Sequence, residues 1–196
     1  MPIATKTGAL SGYPISDSFG TKTATAGTEI TRVAAPRSGV RTRIRGFSYK
    51  AAGTAHVLTF LNAMSEVAVD TDAAAGQAAL TLTAMPSATD GSLLAIGDWV
   101  VVQLEDLSWD VYKVLSLSGL VVTFSTNLAK KVKAGTRVFF MGAPADHVDR
   151  QFKAAASETI TFSGYEVACS AAKDDQPILA HADNVTAAGE LKWLSW

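Results

Sequence analysis

Residues 97–142 constrain the fold more than any other part of the chain. They hold four β-rich runs, at 99–104, 109–115, 120–125 and 137–141, joined by turn-forming residues at 105–108, 118–119 and 133–135. Strands this short, joined this tightly, bury one face each only by curling into a small antiparallel barrel or sandwich. Upstream, Leu80, Leu82 and Ala84 alternate with Ala79, Thr81 and Thr83, which adds a half-buried strand to the same module.

A chain of 196 residues and 20.5 kDa is long enough to bury a core without disulfides or metal, as one large β domain or two small ones. Hydrophobic residues at 48% with charged residues at 18% argue against a disordered chain. A net charge of −1 supplies no general attraction to nucleic acid or an anionic membrane, and neither is expected as a partner. The one cysteine, Cys169, has no internal partner, and the start MPIATKTGALSGYP lacks a basic segment followed by an apolar run. Synthesis in a reducing cytoplasm is the expectation.

Strand-like runs also flank the module, at 29–34, 40–50 and 55–62 before it and at 158–169 and 177–181 after it. The expected fold is therefore all-β: an antiparallel β-sandwich with an inserted small β-barrel-like module. Its parts are an extended N-terminal arm at 1–27, a sandwich at 28–65 and 152–196, and the inserted module with its return linker at 66–151. The arm is assigned from its Gly, Ser, Thr and Ala content and its lack of periodicity, and is expected to order against something else.

Arg41, Arg43 and Arg45 alternate with Val40, Thr42 and Ile44, so an unbroken strand carries three guanidinium groups on one face. Three readings are open. The arginines form a solvated face that discourages edge pairing, or they meet carboxylates on a partner in bidentate fashion, or they contact nucleic acid. The chain ends LKWLSW, where alternation puts Trp193 and Trp196 on opposite faces of a last strand. Either that strand packs on its own sandwich or its indoles anchor a subunit interface, where Trp is enriched.

His56, His147 and His181, with Asp146, Asp149 and Asp183 near two of them, give no metal site, because a third and fourth ligand at suitable spacing are missing. Asp70-Thr71-Asp72 starts like a calcium loop but lacks the Asp-Gly and distal Glu that complete one. There is no Gly-x-Ser-x-Gly, phosphate-cradling loop, His-Glu-x-x-His or Cys-x-x-Cys, so the sequence offers no catalytic constellation, metal or cofactor.

The segments VRTRIRGFSYKAAGTAHVLTFLNA, GDWVVVQLED, VKAGTRVFFMG and ETITFSGYEVACS, behind a small-residue arm, resemble virion structural proteins of tailed bacteriophages. The closest type is the capsid decoration, or cement, protein. That resemblance implies a non-enzymatic protein of the virion that binds the major capsid protein and itself, often as a trimer. Arg41, Arg43, Arg45, Trp193 and Trp196 are the candidate contact residues. A tail, neck or baseplate subunit is the nearest alternative, followed by a carbohydrate-binding sandwich using Trp99, Trp109 or Tyr112 as stacking platforms, and then a small hydrolase.

Overall fold

The structure, a computed structural model, describes residues 18–24, 30–34, 43–50, 55–87, 91–168, 176–182 and 189–195. In chain order the strands are β1 (Ser18–Ala24), β2 (Ile30–Ala34), β3 (Arg43–Lys50), β4 (His56–Asn62), β5 (Ser65–Ala68), β6 (Ala79–Thr81) and β7 (Trp99–Gln103). They continue with β8 (Trp109–Ser118), β9 (Val121–Phe124), β10 (Arg137–Gly142), β11 (Gln151–Ala154), β12 (Thr159–Ala168), β13 (Ile178–Ala182) and β14 (Gly189–Ser195). A 3-10 segment, Pro144–Arg150, stands between β10 and β11. The fold is all-β and sandwich-like, and every strand pairing is antiparallel.

Three sheets result, ordered β1-β14-β3-β12, β11-β4-β13-β2 and β5-β10-β7-β8-β9-β6. All strands of the third lie between Ser65 and Gly142. This sheet curls until its end strands meet: Val69 bridges Leu82, the Asp70 amide donates to the Thr81 carbonyl at 2.8 Å, and the Thr83 amide donates to the Ala68 carbonyl at 2.9 Å. Curling brings the two end strands together at this point and encloses a core that includes Leu80, Val102, Tyr112, Phe124, Val138 and Phe140. Tyr112 stacks on Phe124 with ring centroids 4.9 Å apart.

The outer face of the curled sheet is dry where it meets its neighbour. Val101, Trp109, Phe139 and Met141 pack against Leu61 and Ala63, which follow along β4, and against Leu179 of β13. Hence β7 and β10 are buried on both faces, which is why they read as the unbroken apolar runs VVV and VFFM. By contrast β9 alternates exposed and buried positions, with Val122 and Phe124 turned inward. β4 is also buried on both sides: Leu58 and Phe60 face away from Leu61, and Phe60 meets Phe152 edge-on at 6.1 Å.

Two parts of the chain that the sequence reading left without strands contain them. Ser18–Ala24, inside the expected arm, is a strand paired with β14 from Ser18–Ser195 to Ala24–Gly189. This stretch, SFGTKTA, pairs at a sheet edge through its backbone ladder, which composition does not encode. The expected return linker contains the 3-10 segment and then β11, which pairs with β4 from Gln151–Thr59 to Ala154–His56.

Candidate functional site

The sheet β1-β14-β3-β12 brings together candidate residues that are far apart in sequence. Arg43 opens β3 opposite Ala168 of β12, and Ile44 stands opposite Ser195 of β14. Ser195 also pairs with Ser18, the first residue of β1. The beginning of β1, the beginning of β3 and the end of β14 thus share one end of one sheet. Trp193 lies further along, between Gly20 and Phe47. Arg41, Trp196 and Cys169 lie outside the described residues.

Two of the sequence arguments about the arginines change with this placement. β3 is an inner strand, between β14 and β12, so Arg43 and Arg45 do not guard an edge. Both neighbours shift register at Arg45: β14 steps from Leu194 opposite Gly46 to Ser195 opposite Ile44, and β12 from Ser163 to Val167 opposite the same two residues. A bulge bends the strand and re-aims the residues beyond it, so strict alternation does not run through Arg45.

Two of the three aromatic residues that could serve as stacking platforms, Trp109 and Tyr112, are buried. Tyr112 is 2% exposed inside the core and Trp109 is 8% exposed beneath Phe139, with their centroids 5.3 Å apart. Trp99 is half-buried with Lys113 5.7 Å from its ring. Exposed aliphatic side chains in this part of the chain include Leu93 at 60%, Ile96 at 68% and Leu115 at 56%. Leu115 sits at a register shift between Val114–Phe124 and Ser116–Thr123, a bulge that no residue pattern announces.

The acidic residues serve turns. Asp72 pairs with Lys131 at 2.6 Å and accepts the Ala134 amide at 2.9 Å, and these contacts hold its carboxyl below the usual range. Asp106 binds Lys130 and Ser108, which bring it down to about 2. Asp98 accepts the Ala95 amide at 2.7 Å, and burial pushes its carboxyl up. Burial likewise pushes the Tyr112 phenol up to about 12; its oxygen accepts the Ala129 amide at 3.2 Å, and its hydroxyl donates to Asp110 at 3.1 Å. Among the described residues no three His, Cys, Asp or Glu side chains are grouped to hold a metal, and no helix is long and apolar enough to cross a membrane.

One ion pair is built with care at the inner seam. Arg137 meets Glu66 through two parallel bonds, Nε to Oε1 at 2.6 Å and Nη2 to Oε2 at 2.9 Å, while its guanidinium lies 4.7 Å from the Phe139 ring. Both side chains are half-buried, and forked geometry makes this the strong kind of pair. Glu66→Ala is expected to destabilise the chain by about 1–3 kcal/mol, since it strands a partly desolvated cation. The shift of the denaturant midpoint checks this, and a change of a few tenths would show the pair to be screened.

No family model matches the chain, and no curated protein does. Among solved structures it is similar to the VP16-VP17 complex, a complex of the two major capsid proteins of bacteriophage P23-77, at 9% identity over 92% of this chain and 99% of that one, with a TM-score of 0.22. It is similar also to VP17, a capsid protein of the same phage, at 10% identity over 91% of this chain and 96% of that one, again at a TM-score of 0.22. At that TM-score the likeness carries no argument for this chain.

Proposed function

We propose that this chain is a non-enzymatic structural protein of a tailed-bacteriophage virion, attached to the capsid shell as a decoration or cement protein. Its partners in this reading are the major capsid protein and two further copies of itself. The observation that carries it is the shared sheet end, where Ser18, Arg43 and Ser195 come together. In the chain, segment 1–17 leads into Ser18, Arg41 precedes Arg43 and Trp196 follows Ser195; in this reading the arm, the Arg41–Arg43–Arg45 series and the terminal indole contribute to one contact. Three copies match the local threefold points of an icosahedral shell, and repeated weak contacts gain avidity.

Attachment through arginines that meet a partner's carboxylates weakens as salt rises, because charges beyond a Debye length of about 8 Å are screened at physiological ionic strength. Replacing Arg41, Arg43 and Arg45 together by Gln is expected to lower occupancy on purified shells far more than it lowers thermal stability. Co-sedimentation with shells over a salt series, together with the oligomer mass, tests this. Occupancy unchanged in the triple variant removes the arginines from the contact, and a mass of six copies points to a tail ring instead.

A further inference from the structure

The two places where the chain passes between the curled sheet and the β11-β4-β13-β2 sheet lie against each other. On the outgoing side the Met64 amide donates to the Phe140 carbonyl at 2.8 Å. On the return side Gly142 adopts a left-handed φ of +69°, and a Cβ there would stand 2.6 Å from the Met64 sulfur and 2.8 Å from Asp146 Oδ2. The 3-10 segment begins two residues later. Its start is tied by the Ala143 amide donating to Asp146 Oδ2 at 2.7 Å, and Gln151 Nε2 donates to the Pro144 carbonyl at 3.1 Å.

His147 is the buried centre of this segment. Its backbone, at φ −118° and ψ 47°, leaves helical geometry, so two short turns meet at the ring. The side chain is buried, with Nε2 2.7 Å from the Met141 carbonyl oxygen. A carbonyl accepts only, so Nε2 carries a proton and donates it; that bond favours the charged ring, but burial, the larger influence, disfavours it and keeps the ring neutral at higher pH. The nearby charges belong to the same segment: Arg150 opposes a second proton, while Asp146 and Asp149 favour one. Arg150 already has a buried Nη1 without a hydrogen-bond partner, so a second cation beside it is poorly compensated. β4, packed on the segment, begins with His56 and has no ionisable group from Val57 to Asn62; β11, which follows the segment, carries Lys153, and on β10 the charged residue is Arg137, committed to Glu66. Asp146 also repels the Asp98 carboxylate and helps push that carboxyl up.

We propose that Pro144–Arg150 is an acid-operated latch: neutral His147 holds the return from the curled sheet closed, and protonation of its ring from solvent releases the segment. Nothing in the virion reading requires this device. Its direction comes from proton linkage. Burial keeps the folded ring's pKa below its ordinary value of 6.5, so the opened segment binds more protons than the closed one. The latch is then fully closed above 6.5 and weakens as pH falls below that value toward the folded pKa.

Hydrogen exchange of the full chain, corrected for intrinsic rates, tests it between about pH 7.5 and about pH 5. Amides of residues 143–151 are expected to lose protection severalfold on acidification, while β7 and β8 keep theirs. In His147→Gln, whose side-chain amide donates to the same carbonyl without titrating, that loss is expected to vanish. An equal loss in the variant, or none in the parent chain, overturns the proposal. Should the variant not fold, ring titration by NMR in the parent chain decides: a His147 pKa at or above the ordinary value refutes the latch, and one clearly below it supports it.

Discussion

Phe139→Ala is expected to destabilise the chain by about 3–5 kcal/mol, the range for deleting a fully buried aromatic ring that its surroundings cannot fill. Phe139 is fully buried, tilts against Trp109 and packs on Leu61, Ala63 and Leu179, so its loss opens a cavity between two sheets. Phe140, the next residue, points the other way into the curled sheet's own core, and Phe140→Ala should cost a similar amount. The two losses separate in a fragment holding only the curled sheet. There Phe140→Ala keeps its full effect, while Phe139→Ala loses most of its effect because β4 and β13 are gone. Denaturant midpoints of both variants in both contexts check this, and a Phe139→Ala loss under about 1 kcal/mol would mean the seam is loosely packed.

That fragment is the subject of the second large effect. Residues 64–142 are expected to fold alone with cooperative unfolding, because the core cluster from Val69 to Phe140 comes entirely from within them. Each large side chain in that cluster contributes roughly 1.5–3 kcal/mol on burial, before chain entropy is subtracted. The complementary chain, with Ala63 joined to residue 143, is expected to aggregate, since it bares Leu61, Ala63 and Leu179. Adding the fragment should restore it to solution. Circular dichroism melts and size-exclusion profiles read both outcomes; an unfolded fragment would show that the curled sheet depends on the rest of the chain.

The strands of the curled sheet are the most legible part of the sequence. Runs at 99–104, 109–115, 120–125 and 137–141 correspond to β7, β8, β9 and β10, because tight turns bound them and Gly119 supplies the positive φ that the Ser118–Gly119 turn needs. β1, β5 and β11 are not legible. They are short or polar, and backbone pairing with β14, β10 and β4 holds them, which residue patterns do not encode. Unbroken apolar runs in Val100–Val101–Val102 and Val138–Phe139–Phe140–Met141, against alternation in β9, are a signal in the sequence that could have marked the strands covered on both sides. The meeting of Ser18, Arg43 and Ser195 is out of reach of sequence reading, since it depends on which strands pair across most of the chain's length.

β4 and β11 are antiparallel neighbours, so in chain terms they are the two arms of a hairpin whose turn has grown into the whole curled sheet and its 3-10 segment. From the unfolded chain, closing so long a turn carries an entropy cost that rises with the logarithm of its length. Once the curled sheet has formed, Met64 and Phe140 are already bonded, and the two arms are separated only by short lengths of chain. The outer hairpin is therefore slow until its turn has folded and fast afterwards. During synthesis the curled sheet is complete before β11 emerges, so the order in which the chain is made is also the order in which its parts close most readily.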